Sequence, residues 1–246
     1  MKSVVIIPAR YKSTRFPGKP LIKLLGKPMI LWVCELSQKA VGKENVFVAT
    51  DDQRIFNEIN KAGFNAIMTS STCATGTDRL AEAVDKVKAD IYINVQGDEP
   101  LINPNDILKI IKSKEIFHND IINGYSPISK DEDPNNVNIP KVIFNEENIL
   151  VYMSRKSIPG FKSQNKAPPL FYKQVCIYAF NGDELKSFSN YGRKSRLEEI
   201  EDIEIIRFFE LNKKIRMVET NSGSLAIDVP EDIAKVELSL KKLHGI

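Results

Sequence analysis

Four cations fall within ten residues in the segment Pro8-Ala9-Arg10-Tyr11-Lys12-Ser13-Thr14-Arg15-Phe16-Pro17-Gly18-Lys19-Pro20. Arginine matches phosphate oxygens with a planar fork, and lysine adds a point charge. Pro17 and Gly18 let the backbone turn tightly among them. The segment therefore reads as a phosphate-binding loop. The competing reading is a solvated basic loop, the usual fate of a charge run. Neither GxxxxGK[ST] nor GxGxxG occurs, so this is not a P-loop or a dinucleotide fingerprint.

Three further segments carry candidate groups. In Asn94-Val95-Gln96-Gly97-Asp98-Glu99-Pro100, Asp98 follows a glycine at the end of an apolar run, where a carboxylate suits a hard cation such as magnesium. It serves equally as a cap for a helix near residue 104 or as a turn residue. Asp228, in Ala226-Ile227-Asp228-Val229-Pro230, reads first as a helix N-cap and as a second metal carboxylate only if the fold brings it to Asp98. Ala74-Thr75-Gly76-Thr77-Asp78-Arg79 offers amides and hydroxyls that suit an anion or a base edge, or ordinary capping by Thr77 or Asp78. With only two histidines, His118 and His244, imidazole acid–base chemistry is not expected, and carboxylates, cations or a metal must do the work.

The elements that must position these groups follow from the apolar pattern. Val4–Ile7, Val46–Ala49, Ala66–Met68 and Ile91–Val95 are short apolar runs, as in strands covered on both faces. Helical patterns separate them, beginning at Pro28, over 54–62 and over 79–87, and another runs from Pro104 to Ser113. Either Asp51 or Asp52 caps the second. This alternation predicts an α/β fold: a Rossmann-like, mostly parallel sheet with helices on both faces. Right-handed crossovers place the strand ends, and so the loops 8–27 and 96–103, on one edge, where such sheets bind ligands. Beyond residue 113 the style changes to strands at 121–128, 141–144, 149–153, 170–180 and 214–219, with helices at 197–211 and 231–243. One domain is expected: a nucleotide-binding half over 1–113, a smaller mixed-β lobe over about 114–220, and a C-terminal return over 221–246.

Bulk properties set the remaining bounds. A net charge of +3 is too mild to argue for nucleic acid. No run approaches the roughly 20 apolar residues of a membrane span. Cys34, Cys73 and Cys176 are odd in number and far apart, which suggests buried thiols in a reduced, cytoplasmic protein.

Taken together, VVIIPARYKSTRFPGKPL with GKPMI, then VATDD, TGTDRLAEAV and INVQGDEPLI, resemble the 3-deoxy-manno-octulosonate (Kdo) cytidylyltransferase family, also called CMP-Kdo synthetase. The likeness covers nearly the whole chain and is densest over 3–104. It implies a nucleotide-diphospho-sugar transferase type of fold, dependence on Mg2+, a homodimer, and transfer of CMP from CTP to an acidic sugar for lipopolysaccharide or capsule. By resemblance, Arg10, Arg15 and Lys19 fall on triphosphate positions, and Pro8, Ala9, Arg10, Thr75, Gly76, Arg79 and Gln96 surround the nucleotide. Asp98 and Asp228 fall on the magnesium carboxylates. Gln96, Arg155, Gln174, Tyr178 and Glu204 fall on or near sugar contacts. Gln174 stands where the family usually has histidine, Ser224-Leu225-Ala226-Ile227 replaces a glycine-containing lead-in, and the 160–169 segment is short. These departures keep an 8-amino Kdo or another acid sugar open as acceptor. A sugar-phosphate or polyol-phosphate transferase and a non-catalytic nucleotide-binding module are the rival readings.

Overall fold

The computed structural model describes residues 1–12, 16–162, 169–221, 225–227 and 229–245. In chain order, β1 (Ser3–Ala9) leads through the hairpin β2 (Lys23–Leu24) and β3 (Lys27–Pro28) into α1 (Met29–Val41). Next come β4 (Val46–Thr50), α2 (Gln53–Lys61), β5 (Asn65–Met68), α3 (Gly76–Val84), β6 (Ile91–Val95) and α4 (Pro104–Ile116). The second half contains β7 (Ile121–Pro127), β8 (Lys141–Phe144), β9 (Leu150–Ser154), β10 (Tyr172–Phe180), α5 (Gly182–Asn190), α6 (Arg196–Glu201), α7 (Arg207–Glu210), β11 (Ile215–Glu219) and α8 (Asp232–His244).

The main sheet runs β11-β7-β10-β6-β1-β4-β5. β1 is parallel to both β4 and β6, and β5 is parallel to β4. Strand order therefore reverses at β1, which opens a crevice between the C-terminal ends of β1 and β6. β10 pairs antiparallel with β6, so the second half continues the same sheet, and the β8–β9 hairpin extends from it as the smaller lobe.

Both faces of the sheet are apolar, as the unbroken Val4–Ile7 run requires. On one face Val5, Ile7, Ile91, Ile93 and Val95 pack with Ile30 and Val33 of α1, Ile55 and Ile59 of α2, and Ile107 and Ile110 of α4. On the other, Val4, Ile6 and Tyr92 pack with Leu80 and Val84 of α3, Leu185 and Phe188 of α5, and Ile205, Ile206 and Phe208. A third cluster seats Ile227 and Val236 and Leu240 of α8 against Leu24, Met29 and Trp32.

Several local expectations are corrected. The helix expected over 197–211 breaks into α6, a 3-10 turn at Glu204–Ile206 and α7, because Asp202 adopts a left-handed conformation, φ 50°. The carbonyls of Glu201 and Asp202 that this break frees are bound by Arg155 Nε and Nη2. α5 was not expected, although Asn181 and Glu184 form a reciprocal capping box of recognisable spacing. α3 begins at Gly76 with Thr75 as its cap, one turn earlier than expected. α4 is capped by Asn103, which removes helix capping from the readings of Asp98. Of the thiols, Cys34 is buried, whereas Cys73 and Cys176 are half-buried. Among the described residues, no helix is long and apolar enough to cross a membrane.

Candidate active site

The crevice at the strand-order reversal is a cavity of about 260 Å³ lined by Pro8, Ala9, Arg10, Lys19, Pro20, Cys73, Ala74, Thr75, Gly76, Arg79, Gln96, Gly97, Asp98 and Glu204. Three loops converge on it, from the ends of β1, β5 and β6. Gly18 turns the first loop with φ 72°, and its amide donates to Tyr11 O at 2.9 Å. That turn aims Lys19 inward. Gly97 allows the third loop to pass β1 closely, because a Cβ there would meet Pro8 O and Ile30 Cδ1 at 3.0 Å.

Lys19 Nζ donates to Asp98 Oδ2 at 2.6 Å and to Ile227 O at 2.8 Å. The Ile227 amide in turn donates to Asp98 O at 3.1 Å. The chain next to residue 228 is thereby fastened to the Asp98 turn, although Asp228 and Arg15 themselves lie outside the described residues. One carboxylate oxygen and one carbonyl oxygen thus converge on a single ammonium.

On the opposite wall, Thr75 and Asp78 form a reciprocal capping box that leaves the first turn of α3 facing the cleft. Arg79 is buried, donates to Thr69 Oγ1, and lies 3.6 Å from Asp51 Oδ1. Glu204 Oε2 accepts from the Thr77 amide at 3.1 Å, and Glu204 Oε1 lies 3.5 Å from Gln96 Nε2. Enclosure by protein pushes the Glu204 carboxyl above its ordinary range, while the Thr77 amide and the nearby threonine hydroxyls pull the other way. At the rim, the Cys73 thiol is raised to about 11 by burial and by its bond to Glu82.

Of the expected site residues, Pro8, Ala9, Arg10, Lys19, Thr75, Gly76, Arg79, Gln96, Asp98 and Glu204 share this cleft. Three do not line it. Arg155 donates to the carbonyls of Glu201, Val137 and Asp202. Gln174 and Tyr178 are buried, with Gln174 Nε2 at 3.2 Å from both Tyr178 Oη and Asn123 Oδ1. Burial, and then the neighbouring Cys176, holds the Tyr178 hydroxyl well above its usual range. Sequence reasoning missed Pro20, Cys73, Ala74 and Gly97, whose only signal is adjacency to Lys19 and to the Thr-Gly-Thr and Gly-Asp turns.

A doubly covered, mostly parallel sheet with a cationic, carboxylate-bearing cleft at its switch point defines a doubly wound α/β protein with its cleft where such folds take their ligands. A profile described as "Cytidylyltransferase" matches residues 4–215. The chain is 41% identical to the 3-deoxy-manno-octulosonate cytidylyltransferase of Thermodesulfovibrio yellowstonii, over 98% of each chain. It is 38% identical to the 8-amino-3,8-dideoxy-manno-octulosonate cytidylyltransferase of Shewanella oneidensis, over 98% of this chain and 99% of that one. The solved structure of CMP:2-keto-3-deoxy-manno-octonic acid synthetase complexed with CTP superimposes with TM-score 0.90 at 36% identity, covering 98% of this chain and 99% of that one. The chain belongs to the cytidylyltransferase family, among the enzymes named for 3-deoxy-manno-octulosonate and its 8-amino analogue.

Proposed function

We propose that this protein transfers CMP from CTP to the anomeric hydroxyl of Kdo or its 8-amino analogue, releasing pyrophosphate. The observation that carries this reading is the meeting of Arg10, Lys19, Asp98 and the Thr75-Gly76 turn in one cleft, in a chain of this family. CTP lies with its base and ribose along Ala9, Thr75, Gly76 and Arg79 and its phosphates toward Arg10, Arg15 and Lys19. The acceptor lies toward Gln96 and Glu204. The work of the protein is to bring the hydroxyl in line with the α-phosphorus and to stabilise charge passing to pyrophosphate. Contact between Arg155 and the sugar carboxylate requires the guanidinium to release carbonyls it now holds.

Asp98 and Asp228 would hold magnesium, which when bound supplies Lewis-acid polarisation of the α-phosphate. The convergence of Asp98 Oδ2 and Ile227 O on the Lys19 ammonium supports this fit. A homodimer is part of the proposal, supported by Val137, Val151, Leu170 and Ile200, which are all more than half exposed in the second half of the chain. So is a cytoplasmic site of action, where CTP is available, feeding lipopolysaccharide or capsule.

The test measures pyrophosphate release with CTP, ATP, GTP or UTP against Kdo, 8-amino Kdo and sugar phosphates, with magnesium or with chelator. Magnesium-dependent release with CTP and an acid sugar supports the proposal. Release only with a sugar phosphate would move the protein to the rival transferase class, and no release with any acceptor would leave a binding module.

A further inference from the structure

The segment 204–207 holds the nucleotide turn at two points. Glu204 accepts from the Thr77 amide on one side. Three residues on, Arg207 Nη1 donates to Asp78 Oδ1 at 2.8 Å. Asp78 shapes the turn, since its Oδ2 accepts from Thr75 N at 3.0 Å and Thr75 Oγ1 at 2.9 Å. The guanidinium is itself immobilised: it donates to Glu198 Oε2 at 2.7 Å and Oε1 at 2.6 Å, and it packs 3.7 Å from the centre of the Phe188 ring. Arg207 is 1% exposed and does not line the cleft.

We propose that Arg207 is a positioning residue for nucleotide binding: through Asp78 it fixes the Thr75–Gly76 turn in the geometry that receives CTP. Burying a guanidinium with two carboxylates is a costly way to gain stability, since well-packed apolar residues often do as well. What such a residue would lack is a directed donor to Asp78. The bidentate grip on Glu198 holds the fork rigid, so Nη1, with Nη2 at 3.5 Å from Asp78 Oδ2, sets the place of the Asp78 carboxylate and hence of the capping box. The same segment carries Glu204, so the nucleotide turn and the acceptor side of the cleft are anchored to one stretch of chain.

The inference rests on the proposed binding of CTP, and its test separates the two. The full chain and its Arg207→Lys, Arg207→Met and Arg207→Met/Glu198→Gln variants are titrated with CTP and magnesium by calorimetry, and KM and kcat are measured alongside. The double variant removes the unpaired Glu198 charge, so that folding survives. The Met variants should weaken CTP binding and raise its KM about ten-fold or more, the scale set by misplacing a binding group. Lysine, which keeps one charge, should recover part of the loss. Lys114→Met, which breaks a buried ion pair remote from the cleft, is the comparator: it should lower Tm without moving the CTP constant. Normal CTP affinity in a folded Met variant overturns the inference, as does a loss no greater than that of the comparator. Should neither Met variant fold, Arg207→Lys decides on the same criterion. A parent protein that fails to bind CTP overturns the functional reading itself, and this inference with it.

Discussion

Lys19 and Asp98, 79 positions apart in sequence, meet at 2.6 Å across the mouth of the cleft. The ammonium also holds Ile227 O, so one cation joins the loop after β1, the turn after β6 and the approach to the C-terminal helix. It thereby links the proposed phosphate-binding loop to the proposed metal carboxylates.

Asp98→Asn should leave the fold intact and lower turnover by about two orders of magnitude or more, the range seen when one electrostatic stabiliser is removed. The circular dichroism spectrum and the rate of pyrophosphate release check this. Near-normal turnover in a folded variant would take Asp98 out of the metal role.

Lys19→Ala and Arg15→Ala should each raise the CTP requirement or lower turnover by about a decade, equivalent to roughly 1.4 kcal/mol. Steady-state kinetics over a series of salt concentrations provide the check. The loss should shrink as salt rises, because screening weakens the lost attraction in the parent enzyme.

Glu204 supplies a pH prediction with a definite sign. Its folded-state carboxyl titrates above the ordinary value of 4.5, so the protonated form favours folding. That contribution is complete below the ordinary value and fades as pH rises through the folded-state value. Glu204→Gln imitates the protonated form permanently. The stability difference between variant and parent should therefore shift in favour of the variant as pH rises from below the ordinary carboxyl value through the folded-state value, read from denaturant midpoints. A difference that is flat with pH would reject the shift.

The pair Lys114 and Glu184 is almost wholly excluded from solvent, at 0% and 3% exposure, and Lys114 also donates to Asp120 O. Lys114→Met should cost about 3 kcal/mol because it strands Glu184 without its partner. Lys114→Met/Glu184→Gln should recover most of that loss. Denaturant unfolding reads both, and kcat should be unchanged, since neither residue lines the cleft.

The sequence by itself determined the parallel half of the sheet. Val4–Ile7, Val46–Ala49 and Ile91–Val95 can be buried on both faces only with helices above and below, and chirality then sends their ends to one edge. Arg10, Lys19 and Asp98 were legible for the same reason: each sits in a loop that follows a strand, where position along the chain fixes position on the edge. The family was legible too, through motifs kept in order over the first hundred residues. Tertiary structure decided what depended on contacts remote in sequence. It turned Arg155 toward the carbonyls at the end of α6, buried Gln174 and Tyr178 against Asn123, and broke the 197–211 helix so that Glu204 and Arg207 could reach the Thr75–Asp78 turn. No local pattern encodes those pairings. They form because a buried carboxylate or guanidinium must find its partner wherever packing places one.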